Sequence, residues 1–237
     1  AGTILNNLVA LGVGRIRAVG FCGEDGEGFE LLRALRRQQG VSLDLFVQTP
    51  ERATFTYSKP LVLTPGRPPL ELDRLDIKNW SPTPEAVQGA LIRAVRRAAE
   101  DSDAIILLDQ VDVPETGVIT RPLLAAVEEL AAARPDLLII ADSRRSLKDY
   151  PPVSLKMNRA ELAALTGLNP GAGTAEIEIQ VRRLANRHGR PVFVSLAEQG
   201  ILSAAPGGEI VRQTALPVRG EIDVVGAGDA VMANLTT

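Results

Sequence analysis

The fold is decided between residues 104 and 142, where A-I-I-L-L-D (104–109) and D-L-L-I-I-A-D (136–142) enclose a helical stretch at 121–133. The outer segments are short and continuously apolar, the pattern of strands covered on both faces. A strand, a crossover helix and a second such strand make a parallel βαβ unit. The pattern continues toward the C-terminus with helices at 159–166 and 174–187, a strand P-V-F-V-S-L at 191–196, and a hairpin about Pro206-Gly207-Gly208. Toward the N-terminus lies a helix at 83–100, with Val87, Leu91, Ala94, Val95 and Ala98 at helical spacing.

Before that helix come three extended segments, 44–47, 53–63 and 70–77, rich in β-branched and aromatic residues and broken by Thr64-Pro65-Gly66-Arg67-Pro68-Pro69. They read as a small antiparallel sheet inserted into the main domain. Further upstream are a helix tail at 3–11, a strand at 15–21, a glycine-rich turn at 20–28 and a helix at 27–39. In that last helix Phe29, Leu32, Leu35 and Leu31 are expected to form the apolar face. The expected fold class is α/β: a mostly parallel sheet with helices on both faces. The expected core is 1–42 with 78–237, and the insert 43–77. Ala1-Gly2 opens inside a helix entrance and Thr237 stops in a helix that has just become apolar, so both ends are expected to be cut.

Composition removes several chemistries. The 237 residues carry 45% hydrophobic and 23% charged side chains with a net charge of −3, a globular balance. No run of Lys or Arg exceeds two residues, so neither a nucleic-acid stripe nor a nucleic-acid partner is expected. No membrane is expected either, because the apolar stretches are too short to span a bilayer and no signal-type segment opens the chain. One cysteine, Cys22, and one histidine, His188, do not assemble a His/Cys zinc site. A cytoplasmic location is the expectation. His188 falls at a helix end before Gly189, where a solvated cation is expected. Trp80 is expected as a packed linker aromatic. Asp142 is a strand-end acid without an assigned role.

Glycine-rich loops are the next candidates, since ligands of open α/β sheets bind beyond the carboxyl ends of strands. Four G-x-G pairs occur, and the positions where a dinucleotide fingerprint needs Gly or Ala hold Arg17, Leu31, Glu176 and Val231. No Gly-Lys dipeptide exists, so there is no Walker A loop. The last pair, in Asp223-Val224-Val225-Gly226-Ala227-Gly228-Asp229-Ala230-Val231, differs in kind. Three small residues directly before an apolar helical run leave the backbone N–H groups open to an anion. Asp229 in that first turn is placed either to take a proton from an attacking hydroxyl while the amides hold a transferring phosphoryl, or simply to cap the helix.

This nine-residue stretch resembles the second signature of the PfkB, or ribokinase-like, carbohydrate kinases. Gly20-Phe21-Cys22-Gly23-Glu24-Asp25-Gly26-Glu27-Gly28 is similar to that family's first signature. Asn158-Arg159-Ala160-Glu161 matches its N-x-x-E motif, and Ser195-Leu196-Ala197-Glu198-Gln199-Gly200 its T-x-G-x-x-G turn, with Ser for Thr and Ala for the first Gly. The texture of Asn7 to Gly12, Arg52 to Leu63 and Arg74-Leu75-Asp76 resembles the heptose-7-phosphate kinase and ADP-heptose synthase branch. There a lid strand T-x-T-K-x-R carries two cations; here its positions are Tyr57 and Lys59, and Thr3 stands where the family has a sugar-site Asn.

The resemblance implies a ribokinase-like fold with residues 43–77 as a lid, and ATP-dependent phosphorylation of a sugar or sugar-phosphate hydroxyl. It implies Asp229 as general base and Gly226, Ala227 and Gly228 as the anion hole. Ser195 and Gly200 would border the nucleotide, and Asp223 a monovalent cation (K+) loop beside the phosphates. Asn158 and Glu161 would order Mg2+ and its waters; without the family they read as a capping box, and both readings hold together. For the sugar side it implies Asn7, Gly23, Asp25, Lys59 and Asp109, although Asp25 reads equally well as a turn former. A homodimer through the lid is expected. The alternatives are a binding protein of the same fold without turnover and, disfavoured by the failed fingerprints, an NAD-dependent oxidoreductase.

Overall fold

The computed structural model describes residues 2–217 and 226–237. The chain opens with α1 (Gly2–Ala10), β1 (Ile16–Arg17), β2 (Gly20–Gly23), α2 (Gly26–Arg36), β3 (Val41–Ser42) and β4 (Phe46–Thr49). β1 pairs in parallel with β3, and β2 with β4. Two antiparallel pairs follow: β5 (Thr56–Ser58) with β8 (Leu75–Ile77), and β6 (Leu61–Val62) with β7 (Leu70–Glu71). Of the three extended segments expected in the insert, the first therefore contributes β4, which pairs with core strand β2; only the other two form the antiparallel pairs.

The remainder runs α3 (Glu85–Ala99), β9 (Ala104–Asp109), α4 (Arg121–Ala133), β10 (Leu138–Ser143), β11 (Ser154–Asn158), α5 (Arg159–Thr166), α6 (Thr174–His188) and β12 (Val192–Ser195). A single 3-10 turn (Ala197–Gln199) precedes β13 (Ile201–Ala204) and β14 (Ile210–Gln213), and α7 (Ala227–Leu235) closes the chain. The central sheet has six strands in the order β14-β13-β12-β11-β10-β9. β9 to β12 are parallel, and β13 and β14 add an antiparallel edge.

Strand alternation divides the sheet between two helical layers. Leu107, Ile139, Ala141, Leu155, Met157, Val192 and Val194 pack with apolar residues of α3, α4, α5 and α6. The alternate positions Ile106, Leu108, Ile140 and Phe193 meet Ile4 and Leu8 of α1 and Met232, Ala233 and Leu235 of α7. The continuous apolar character of β9 and β10 follows, because each face needs its own hydrophobic set.

Four local expectations are corrected. β11 was not expected: two prolines precede it and Lys156 interrupts its apolar run, yet Ser154 to Met157 are all buried. Phe29 is exposed, because α2 turns Gly28 and Leu32 inward and leaves Phe29 under the Arg33 guanidinium, 6.0 Å from the ring centroid. Trp80 is 72% exposed rather than packed, with the Lys78 ammonium 6.0 Å from its ring. His188 ends α6 before the left-handed Gly189, but it is half-buried, and burial holds its imidazole below the usual value.

Candidate active site

The carboxyl ends of the parallel strands lie side by side, as the registers Ser143 to Asp109 and Asn158 to Ser195 require. Because consecutive strand residues face opposite sides, Asp142, Lys156, Asn158 and Ser195 share the face that carries α1 and α7. Asp109 and Ser143 belong to the other. The candidate reaction corner is on the α1/α7 side.

There α7 begins at Gly226, which caps it in the left-handed conformation (φ +84°) and accepts from the Ala230 N–H at 2.9 Å. A side chain at Gly226 would be strained by that φ and would press on the Thr3 methyl, 3.1 Å from its Cβ position, so the entrances of α1 and α7 adjoin. Gly228 faces the Lys156 ammonium, which lies 3.1 Å from where a Cβ would be. Lys156 is only 5% exposed and donates to Asp142 Oδ2 at 2.7 Å. A helix N-terminus carries a partial positive charge. A buried ammonium set against it is unfavourable unless anionic charge occupies the same corner, and Asp142 supplies one such charge. Ala227 is exposed, while Gly226, Gly228 and Asp229 are half-buried in the first turn.

Asn158 and Glu161 form the capping box of α5: Asn158 Oδ1 accepts from the Glu161 N–H at 2.9 Å, and Glu161 Oε2 from the Asn158 N–H at 2.7 Å. Burial pushes the Glu161 carboxyl up, the Asn158 N–H opposes this, and Asp142 and Lys156 act on it from the neighbouring strands with opposite sign. The N-x-x-E motif and the Lys156–Asp142 pair are thus one electrostatic group. Neither Lys156 nor Asp142 was assigned a role from sequence; the available signal was a lone lysine two residues before the motif's Asn.

The turn after β12 is tightly built. Leu196 N–H donates to Gly200 O at 2.8 Å, and a Cβ on Gly200 (φ +93°) would overlap the Gln213 carbonyl. Ala197, standing where the family turn has its first Gly, is held at φ +51°. Ser195 closes β12 beside Asn158.

The sugar-side residues do not gather into one cluster. Asp25 caps α2: Oδ1 accepts from the Gly28 N–H at 2.7 Å and the Thr54 hydroxyl at 2.6 Å, and Oδ2 from the Thr54 N–H at 2.8 Å. Burial pushes its carboxyl up, but these hydrogen bonds outweigh it and hold the group below its usual range. Gly23 lies against Asp25 and donates its N–H to the Thr54 hydroxyl at 2.8 Å. Asn7 donates to Thr3 O within α1. Lys59 pairs with Glu71 on the exposed insert. Asp109, 2% exposed, takes Arg145 at 2.6 Å and the Ser143 hydroxyl at 3.2 Å on the sheet face away from α7, and burial raises its carboxyl against the pull of Arg145. Asp223 lies outside the described residues.

The sheet carries a glycine-capped helix start, a buried lysine and an N-x-x-E capping box at its carboxyl edge, and its fold is ribokinase-like. The description "pfkB family carbohydrate kinase" matches residues 117–237, and the chain belongs to that family. The bifunctional protein HldE of Hyphomonas neptunium is 30% identical over 238 residues, 100% of this chain and 46% of that protein. The chain spans about half the length of the curated relatives it matches. Among solved structures, Escherichia coli phosphofructokinase-2 in complex with fructose-6-phosphate aligns with a TM-score of 0.66 at 18% identity, over 99% of this chain and 73% of that one. Arabidopsis thaliana ribokinase complexed with ribose and ATP gives 0.64 at 21%, over 96% and 70%. At such identities the likeness shows the fold.

Proposed function

We propose that this chain transfers the terminal phosphoryl group of ATP to a hydroxyl of a sugar or sugar phosphate. The observation that carries the reading is the Lys156 ammonium held against Gly228 at the start of α7. Two sources of positive potential, the enclosed Lys156 side chain and the helix end, converge on one corner beside Asp229. A migrating phosphoryl group is the kind of anion that arrangement accommodates.

In this reading the Gly226, Ala227 and Gly228 amides hold the charge developing on the phosphoryl oxygens, and Lys156 neutralises the nucleotide side. Asp229 takes the proton of the attacking hydroxyl. Ser195 and Gly200 border the nucleotide. Among the described residues no cluster of three or more His, Cys, Asp or Glu forms a metal cage. Asn158 and Glu161, with Asp142 beside them, would hold Mg2+ through its waters, where it would supply charge neutralisation. A K+ loop at Asp223 belongs to the same reading. On the acceptor side, Gly23 and Lys59 border the sugar in this reading, Asp25 braces the Gly23 turn through Thr54, and Asp109, on the other sheet face, holds Arg145.

The insert is proposed as a lid that pairs with a second copy. Its Leu61, Val62, Leu63, Leu70, Leu72, Leu75 and Ile77 are all exposed, and a small antiparallel sheet with an uncovered apolar surface gains from burial. No helix among the described residues is long and apolar enough to cross a membrane.

The deciding experiment measures ADP release with ATP, Mg2+ and a panel of ribose, fructose 6-phosphate and heptose 7-phosphate. Turnover with heptose 7-phosphate supports the branch the sequence resembles, and turnover with another sugar reassigns the acceptor. ATP binding without turnover on any sugar selects the non-catalytic reading. Light scattering across concentrations tests the lid dimer; a constant monomer mass removes it.

A further inference from the structure

Arg52 lies at the root of the insert, between β4 and β5, and is 5% exposed. Its guanidinium donates to Thr116 O at 2.7 Å, Ser81 O at 2.9 Å, the Ser81 hydroxyl at 3.1 Å and Pro82 O at 3.3 Å. The cation also stands over the Phe21 ring, 5.9 Å from its centroid. Among the described residues no carboxylate pairs with it, and its Nε has no hydrogen-bond partner. A buried, uncompensated guanidinium is costly, and it is tolerated here only because several acceptors are aimed at it.

Those acceptors come from separate parts of the chain. Ser81 and Pro82 follow the exit of the insert, and Thr116 belongs to the loop after β9. The Arg52 carbonyl presses on Gly23 at the end of β2. One residue further on, Ala53 pairs with Asn79 across the two roots of the insert: the Ala53 N–H donates to Asn79 Oδ1 at 3.0 Å, and Asn79 Nδ2 to Ala53 O at 2.8 Å. Thr83 N–H in turn donates to Glu115 O at 2.8 Å, and its hydroxyl to Gly117 O at 2.7 Å.

We propose that Arg52 is a positioning residue that bolts both roots of the insert to the loop after β9, so that lid, Gly23 turn and that loop hold one geometry on the acceptor side. A lysine cannot replace it, because a point-like ammonium lacks the planar fork that reaches carbonyls on two segments at once. The functional half of this inference rests on the kinase reading above; the structural half does not.

The test uses Arg52→Lys and Asn79→Ala with two readouts. Hydrogen exchange by mass spectrometry on the ligand-free protein is expected to show faster exchange at 53–58 and 75–82 in both variants. In Arg52→Lys the loop 113–119, distant in sequence, is expected to loosen as well. In turnover assays with the best acceptor of the panel, both variants are expected to raise the acceptor KM tenfold or more while the ATP KM stays within twofold. Exchange that rises evenly over the whole chain, or acceptor and ATP KM values that move together, overturns the proposal. If Arg52→Lys does not fold, Arg52→Gln takes its place, and unchanged exchange at both roots and at 113–119 rejects the bolt. If the wild-type protein turns over no sugar, the kinase reading fails while the exchange experiment still decides the bolt.

Discussion

The Lys156 ammonium on β11 reaches the Asp142 carboxylate on β10, 2.7 Å away, and the first turn of α7 rests against it through Gly228. The pair is nearly enclosed, with side-chain exposures of 6% and 19%. Removing one partner of such a pair is worse than removing both, because the survivor keeps its desolvation penalty. Asp142→Asn is therefore expected to destabilise the fold by about 2–4 kcal/mol, and Lys156→Met by less, since a thioether fills the lysine stem's space. Urea melts of the two variants check the order. In activity the order inverts: Lys156→Met is expected to lower kcat about 100-fold or more, the scale of losing one transition-state donor.

Asp229 sits in the first turn of α7, where a carboxylate also favours the helix dipole. Asp229→Asn keeps the shape and removes the base. Turnover is expected to fall at least 1000-fold, with ATP affinity by calorimetry within a few-fold of wild type. Retained turnover contradicts the assignment and leaves the residue as a first-turn acid that only favours the helix dipole, since Gly226 is the cap.

Ala197 holds a φ of +51° in the turn after β12. A left-handed alanine costs roughly 1 kcal/mol that glycine avoids, less the extra chain entropy glycine loses on folding. Ala197→Gly is expected to be stabilising or neutral, by about 0–1 kcal/mol, whereas alanine-to-glycine changes elsewhere destabilise. A measured loss of 1 kcal/mol or more counts against this turn geometry.

Asp25 gives a pH signature. Its carboxyl is held below the usual value in the fold, so its contribution is present above the unfolded pKa of about 4 and is lost as pH falls through the lower folded value. Asp25→Asn is expected to lose about 1–2 kcal/mol at neutral pH, the scale of a helix cap with additional donors. The gap from wild type should narrow steadily below pH 4. A gap that stays constant down to pH 2 rules out the hydrogen-bonded carboxylate as its source.

The parallel core was legible because its strands announce themselves: β9 and α4 fall where the apolar runs put them, since nothing polar interrupts their packed faces. β11 was hidden by the residue that matters most in it. Lys156 breaks the apolar run, and its burial makes sense only once Asp142 is placed on the neighbouring strand, a pairing 14 residues apart that no local pattern encodes. The glycine-capped start of α7 was readable from its small residues, whereas the surroundings of the residues assigned to the sugar were not. Asp25 and Asp109 have the right chemistry for ligands, yet three donors consume one and Arg145 holds the other on the far face. Trp80 shows the converse failure: sequence assigns a large aromatic to packing, and only the fold reveals that this chain leaves it uncovered.

The last two residues of β10 look in opposite directions, Asp142 toward α7 and Ser143 toward Asp109. Sliding that strand by a single position would exchange them, putting a hydroxyl opposite the lysine and a second acid beside an already buried one. Both layers would fail at once, so a one-residue insertion or deletion between 138 and 143 should be far less tolerated than any substitution there.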